Sequence, residues 1–309
     1  MTSSLASTSP LLTARLIAAD IKLHHSVFAL PFAVLAAFLA AAPAGRVIDW
    51  PRFGGQLGLV VLAMVFARTV AMLTNRLLDR KIDARNPRTA GRALPSGRLR
   101  VSAAVTALLA AAVCFGGVCV AFGLLYGNWW PAGLGLPVLG WLSLYPLFKR
   151  FTSLSHLYLG SSLALSPLAA ALAIDPAAVV GQPVLWLLAA MVLCWVAGFD
   201  IIYALQDVDV DRDQRLESLP ARLGVGSAMV VSRLLHGVAA AALITAAVVD
   251  PRMGLLFAVA TGMVIAVLVY EHATVSRWGT SRTALSFFTL NGIVSCLLGG
   301  LGVADVLIG

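Results

Sequence analysis

Long apolar stretches alternate with short polar segments along almost the whole chain. Each apolar stretch has about 17–25 residues, the length that an α-helix needs to cross the hydrocarbon core of a bilayer. The pattern therefore predicts an all-α integral membrane protein with nine transmembrane helices. The predicted spans are residues 27–43, 53–77, 102–125, 131–148, 154–173, 184–205, 227–248, 253–270 and 285–307.

The polar segments between these spans differ in charge on the two sides of the membrane. Most Lys and Arg residues lie at the N-terminus and after the second, fourth, sixth and eighth spans, whereas the opposite segments hold only Arg46, Arg52 and Arg252. Segments rich in Lys and Arg remain in the cytoplasm. We therefore predict a cytoplasmic leader at residues 1–24, without a signal-peptide cleavage site, and one membrane domain at 25–309, located in the cytoplasmic (inner) membrane.

The composition agrees with a membrane protein and excludes other classes. Only 12% of the residues are charged, against about 25% in an ordinary soluble domain. The net charge of +8 does not indicate nucleic-acid binding, because the basic residues lie between apolar spans, where they orient the chain towards anionic lipids. The cysteines show neither disulfide nor metal-ligand spacing: Cys114, Cys119, Cys194 and Cys296.

Two charged segments, 75–98 and 200–222, follow the second and sixth spans and suggest two related halves facing one cavity. Each has aspartates four residues apart, then basic residues and a proline turn. The aspartate pairs are Asp79 with Asp83 and Asp207 with Asp211. Carboxylates at this spacing share one face of a helix and repel each other unless a cation binds between them. Mg²⁺ suits this arrangement, because it prefers carboxylate and phosphate oxygens. We predict a magnesium site, with a solvated acidic patch as the alternative; Asp209 and Asp213 point elsewhere.

Basic side chains beside the aspartates indicate the substrate. A diphosphate carries about three negative charges, and the planar fork of Arg matches its oxygens. The basic residues close to the first pair are Arg76, Arg80, Lys81, Arg88 and Arg92. Lys149, at the end of the fourth span, either reaches the phosphates or extends to the interface. The alternative for part of this cluster, and certainly for Arg98 and Arg100, is orientation of the chain.

Arg68 lies inside the second span, where a charge indicates a functional site. It precedes Asn75 by seven residues and Asp79 by eleven, about two and three helical turns, so the three share one face. We predict that Arg68 holds a small anion, such as an aromatic carboxylate, beneath the diphosphate; the alternative is a structural Arg bonded to carbonyls. Arg233 lacks this alignment. The histidines have no ligand spacing and are assigned to the core or interface: His24, His25, His156, His236 and His272.

Several motifs together resemble one known family. They are Asn75-x-x-x-Asp79-x-x-x-Asp83 with Arg88-Thr-x-x-Arg92-x-Leu-Pro-Ser-Gly97; Asp200-x-x-Tyr203-Ala-x-Gln-Asp207-x-x-x-Asp211; Tyr145-Pro-x-x-Lys149-Arg150; Phe28-Ala-Leu-Pro31-Phe; and Phe287-Phe-Thr-Leu-Asn291-Gly. In these positions the chain resembles the UbiA superfamily of membrane prenyltransferases. The similarity is greatest to 4-hydroxybenzoate polyprenyltransferase-like enzymes of ubiquinone and menaquinone synthesis, including the futalosine-route subgroup that uses 1,4-dihydroxy-6-naphthoate.

The resemblance implies nine helices around a central cavity and two Mg²⁺ ions that bridge the aspartates to a polyprenyl diphosphate. It assigns metal binding to Asn75 and to the catalytic residues Asp79, Asp83, Asp207 and Asp211. The diphosphate would contact Arg88, Arg92, Lys149 and Arg215, and the aromatic acid would contact Arg68, Asn75 and Tyr203. Tyr203 would stabilise an allylic cation through its ring or hydrogen-bond an aspartate. Glu217 departs from the family, which often has a basic residue there; Arg215 or Arg222 would substitute.

Two other functions compete with this interpretation. A membrane transporter with an anion site at its cytoplasmic mouth would also have charges within spans and two halves, but transporters usually bind near the midplane. A CDP-alcohol phosphotransferase would require a glycine directly after Asp83 and one compact motif, whereas Ala84 follows and the motif is duplicated.

Overall fold

The computed structural model describes residues 10–21, 28–43, 47–279 and 289–308. Fourteen α-helices, and no β-strand, are formed by these residues: α1 (Pro10–Ile21), α2 (Leu30–Ala41), α3 (Trp50–Leu78), α4 (Arg80–Arg85), α5 (Val101–Tyr126), α6 (Trp130–Phe148), α7 (Ser155–Ile174), α8 (Pro176–Gly181), α9 (Pro183–Ala204), α10 (Val208–Asp213), α11 (Leu219–Leu223), α12 (Val225–Val249), α13 (Leu255–Trp278) and α14 (Asn291–Ile308). His24, His25, Arg46, Phe287 and Phe288 lie outside the described residues.

The all-helical membrane fold predicted from the sequence is confirmed. Within the described parts of the chain, eight helices are long and apolar enough to cross a bilayer: α3, α5, α6, α7, α9 with its extension through α10, α12, α13 and α14. The first predicted span corresponds to α2, an apolar helix of 12 residues, so the predicted count of nine is approximate. Large apolar side chains such as Leu109, Leu124 and Val248 are exposed on the outer faces, as lipid contact requires.

Helix α9 lies at the centre of the packing, between α7 and α12. Small residues bring these helices together: a Cβ on Gly160 would lie 2.3 Å from the Leu193 carbonyl oxygen, and one on Gly198 would lie 2.3 Å from the His236 ring. Such close approach gives α9 dense contacts on both sides, including the fully buried Trp195. Close packing on both sides therefore restrains the end of α9, where the second aspartate motif begins.

Arg252 stabilises the end of the bundle opposite the aspartate motifs. Its Nη1 donates to the carbonyl oxygens of Leu39 at 2.8 Å and Ala42 at 2.7 Å, and its Nη2 donates to Gln182 at 2.9 Å and to Asp250. A guanidinium that serves three backbone or side-chain partners and one carboxylate has all of its charge locally compensated. This basic residue on the sparsely charged face therefore has a structural role.

Candidate active site

The first aspartate pair is buried at a break between two helices. Helix α3 ends at Leu78 and α4 begins at Arg80, but the backbone bonds from Asp79 N to Asn75 O and from Asp83 N to Asp79 O, both 2.8 Å, continue the helical ladder. Asn75, Asp79 and Asp83 consequently remain on one face. Asp79 is 2% exposed and Asp83 is 5% exposed, so this pair is not a solvated acidic patch.

Three basic side chains neutralise the buried pair. Arg92 Nη1 donates to both oxygens of Asp83, at 2.7 and 2.8 Å. Lys149 Nζ contacts Asp79 Oδ2 at 2.5 Å, and Arg150 Nη2 donates to Asp79 Oδ1 at 3.3 Å and to the Leu78 carbonyl at 2.8 Å. Lys149 thus points at an aspartate and does not extend to the interface. Buried carboxylates require such partners, because an uncompensated charge in this position would be strongly unfavourable.

The second aspartate motif does not form one continuous α-helix. Helix α9 ends at Ala204, a 3₁₀ turn covers Leu205–Asp207, and α10 follows from Val208 to Asp213. Asp207 and Asp211 are half-buried, whereas Asp209 and Asp213 are exposed to solvent. The change of helical pitch alters the register that ideal i, i+4 spacing would give between Tyr203, Asp207 and Asp211.

Arg88 connects the two motifs across the site. Its Nε donates to Asp207 Oδ1 at 3.0 Å, its Nη2 donates to Asp207 Oδ2, and its Nη1 donates to the Tyr203 hydroxyl at 2.8 Å. The guanidinium also lies 5.2 Å from the centre of the Tyr203 ring, within the range of a cation–π contact. Asn86 Nδ2 adds a bond of 2.9 Å to Asp207 Oδ1. Burial lowers the pKa of Arg88, but the hydrogen bonds to Asp207 and Tyr203 raise it by more, so Arg88 remains cationic.

The residues predicted to bind the acceptor lie deeper along α3 and at the end of α9. Arg68 and Asn75 are half-buried on α3, and Arg68 lies about 16 Å along the helix from Asp79. Tyr145, on α6, lies within electrostatic range of Arg68, Asp79 and Asp200. Tyr145 therefore lies among groups from both motifs and from the predicted acceptor position.

The loop after the second motif contains the last predicted diphosphate residue, Arg215. Its side chain is exposed, its φ is +54°, and it makes no hydrogen bond to another described side chain. Arg222 Nη1 lies 3.7 Å from Glu217 Oε2, and both side chains are exposed. Among the described residues, Arg215 thus makes no hydrogen bond or ion pair with the aspartates that bind Arg88, Arg92 and Lys149.

Four residues in this region were not singled out as site residues from the sequence: Asn86, Tyr145, Arg150 and His156. Asn86 and Arg150 contact the aspartates directly. The sequence indicated these two residues only in part: Asn86-Pro87 is a turn dipeptide, and Arg150 follows the predicted site residue Lys149. His156, assigned to the core, is buried but hydrogen-bonds Asp200 at 2.7 Å.

The donor set has the chemistry that Mg²⁺ prefers, namely carboxylate oxygens and an amide oxygen. In the described part of the chain, however, no group of three or more His, Cys, Asp or Glu side chains is arranged to hold a metal ion. Asp79, Asp83 and Asp207 each bond a basic side chain. A metal together with a phosphate would exchange these partners: oxygens of Asp would bind the metal, and the basic side chains would bind the phosphate.

Comparison with known proteins points in the same direction. The sequence model of the UbiA prenyltransferase family matches residues 29–294. A protein named 4-hydroxybenzoate octaprenyltransferase from Tolumonas auensis is 33% identical over 186 residues, which are 59% of this chain and 61% of that protein. A protein of the same name from Psychrobacter arcticus is 28% identical over 173 residues, 56% of this chain and 54% of that one. The matched regions thus span less than two thirds of these relatives.

Two solved structures share the fold. The apo structure of a UbiA homologue from Aeropyrum pernix K1 is 29% identical, with a TM-score of 0.78 over 92% of this chain and 98% of that one. A UbiA homologue from Archaeoglobus fulgidus, bound to GPP and Mg²⁺, is 17% identical, with a TM-score of 0.71 over 94% of this chain and 99% of that one. The second similarity concerns the fold alone.

Proposed function

Because the chain belongs to the UbiA prenyltransferase family, we propose that it transfers a polyprenyl group from polyprenyl diphosphate to a small hydroxy-aromatic acid within the membrane. One observation supports this proposal above all: basic side chains bond the aspartates of both motifs at one site. Arg88 bonds Asp207, and Lys149 bonds Asp79. The names of the relatives support 4-hydroxybenzoate as an acceptor. The basic residues near the motifs support a cytoplasmic mouth in the inner membrane.

The residues that would hold Mg²⁺ are Asn75, Asp79, Asp83, Asp207 and Asp211. Bound there, Mg²⁺ supplies Lewis-acid stabilisation of the charge that develops on the departing diphosphate. Arg88, Arg92 and Lys149 would turn from their aspartates to the phosphate oxygens, and Arg215 would approach from the exposed loop. Each exchange replaces one charge-assisted contact by another. The basic side chains would thus neutralise the aspartates until metal and substrate bind.

Arg68 would bind the carboxylate of the acceptor, with Asn75 beside it, and so orient the ring beneath the diphosphate. The bond between the allylic carbon and the diphosphate oxygen breaks with its electron pair on oxygen. A ring carbon ortho to the hydroxyl then forms the new carbon–carbon bond, and its proton passes to a diphosphate oxygen, which restores aromaticity. The Tyr203 ring would stabilise the allylic cation, and the surrounding apolar helices exclude water that would capture it.

The acceptor is the part of the proposal that an experiment resolves most simply. Purified protein in lipid nanodiscs would be incubated with geranyl diphosphate, Mg²⁺ and either 4-hydroxybenzoate or 1,4-dihydroxy-6-naphthoate, and products would be identified by mass spectrometry. We expect a C-prenylated acid from one of them, with one diphosphate released per product and none when Mg²⁺ is chelated. The preferred acceptor would assign the enzyme to ubiquinone or menaquinone synthesis. Absence of product from both, together with anion uptake into proteoliposomes, would favour the transporter alternative.

A further inference from the structure

His156 occupies an unusual position for a residue assigned to the core. It is the second residue of α7 and is only 5% exposed, although it lies at the end of the helix near the charged loops. Its Nδ1 lies 2.7 Å from Asp200 Oδ2 on α9, and its Nε2 lies 3.3 Å from the backbone nitrogen of Leu219, the first residue of α11. One imidazole therefore connects three helices.

The hydrogen bonds determine the tautomer of this ring. The Leu219 N–H can only donate, so Nε2 of His156 must accept and carries no proton. Nδ1 of the neutral ring is then protonated and donates to the Asp200 carboxylate. One ring nitrogen thus donates to Asp200, at the start of the second aspartate motif, and the other accepts from Leu219, which follows the motif.

The segment between these two groups contains Tyr203, Asp207 and Asp211. Arg88 also anchors this segment through its bonds to Tyr203 and Asp207, and Arg212 Nε bonds the Ala221 carbonyl at 3.2 Å. A second connection comes from the segment just before α7: the Glu217 N–H donates to the Lys149 carbonyl at 2.7 Å, while the Lys149 side chain contacts Asp79. Residues 149–156 therefore contact both aspartate motifs.

From this arrangement we propose that His156 is a positioning residue for the second aspartate motif. It fixes Asp200 at the start of the motif and Leu219 after it, and so holds Asp207 and Asp211 in the geometry that binds the metal–diphosphate. The inference deepens the proposed function and rests on it for the identity of the ligand. Partners that orient the ligands of a metal site typically contribute about 10- to 100-fold to metal affinity or activity.

Two substitutions separate the two hydrogen bonds. In His156→Asn the side-chain amide nitrogen takes the place of Nδ1 and keeps the donor to Asp200, while the contact with Leu219 is lost. In His156→Gln the amide oxygen reaches the place of Nε2 and keeps the acceptor for Leu219. Ser162→Ala is the matched control, since Ser162 is equally buried on the same helix but bonds only the Tyr158 carbonyl of that helix.

The first measurement is hydrogen–deuterium exchange of residues 200–219 in nanodiscs, compared among the wild type and the three variants. We expect His156→Asn to speed exchange at and before Leu219, and His156→Gln to restore protection there, while Ser162→Ala matches the wild type. The second is the Mg²⁺ concentration that gives half-maximal prenyl transfer with geranyl diphosphate. It should rise about tenfold or more in His156→Asn and less in His156→Gln.

Unchanged exchange and unchanged Mg²⁺ dependence in both His156 variants would overturn the proposal. An equal loss in both variants and in Ser162→Ala would also overturn it, because it would show general loosening of α7. Failure of the proposed function is seen separately, as absence of product in the wild type. In that case the exchange comparison still decides whether His156 holds the segment.

Discussion

Replacing Asp207 with Asn is expected to lower the kcat/KM of prenyl transfer by about 100- to 1000-fold, the range found when one electrostatic partner of a developing charge is removed. Asp207 is the carboxylate that accepts from both Arg88 and Asn86, and it belongs to the predicted metal ligands. The amide keeps the size of the side chain but lacks the charge that would bind Mg²⁺. The rate of product formation in nanodiscs, measured over a range of Mg²⁺ concentrations, tests this.

The control is Asp209→Asn, which removes the same charge two residues away. Asp209 is exposed, lies on α10 two residues after Asp207, and is not assigned to the metal. We therefore expect activity within about twofold of the wild type, because isolated surface charges have small effects. Asp207 is a better test than Asp79, which is 2% exposed. Loss of the Asp79 charge would leave Lys149 and Arg150 uncompensated and would destabilise the fold as well. Equal activity of Asp207→Asn and Asp209→Asn would contradict the assignment of Asp207 to the metal.

Replacing Arg68 with Gln is expected to raise the KM for the aromatic acid by about 10- to 100-fold, which corresponds to the loss of one charge-assisted hydrogen bond of about 1.5–3 kcal/mol. The KM for the prenyl diphosphate should change little, because the predicted phosphate contacts come from Arg88, Arg92 and Lys149. Initial rates measured with each substrate varied in turn separate the two constants. The expected asymmetry is what distinguishes acceptor binding from a general structural role of Arg68.

Arg233→Gln is the matched control for Arg68. Arg233 also lies within a membrane helix, but it is exposed on α12 and its Nη2 donates to Ser276 at 3.2 Å, away from the aspartate motifs. We expect both KM values of this variant to equal those of the wild type. If Arg68→Gln instead raised both KM values equally, or only lowered the amount of folded protein, Arg68 would be structural.

The helices were predictable from the sequence because burial in lipid requires long apolar runs. The span predicted at 53–77 is observed as Trp50–Leu78, and the one at 102–125 as Val101–Tyr126. The largest difference is at α13, predicted to end at 270 but continuing to Trp278. Hydropathy missed these last turns because Glu271 and Thr274 are polar, yet both are buried against other helices. The hydropathy of a segment does not show whether its polar side chains are buried by tertiary packing.

The sequence indicated which residues to consider for the candidate site, but not how they connect. Spacing placed Asp79 and Asp83 on one face, and they remain there. The contact of Arg88 with Asp207 joins residues 119 positions apart, and no local pattern specifies such a partner. The i, i+4 rule also could not predict the 3₁₀ turn before α10, because the rule assumes a continuous α-helix. His156 gave no ligand-like spacing, since its partners lie on other helices.

We propose that the two aspartate motifs form one site for a metal-bound diphosphate. The most direct test of this proposal is calorimetric titration of an unreactive geranyl thiolodiphosphate, with Mg²⁺, into the wild type, Asp79→Asn and Asp207→Asn, each first checked for folding by its thermal unfolding. We predict one bound diphosphate per chain in the wild type and loss of Mg²⁺-dependent binding in either variant. Mg²⁺-dependent binding that persists at wild-type affinity in one variant would show that its aspartate is not part of a shared site.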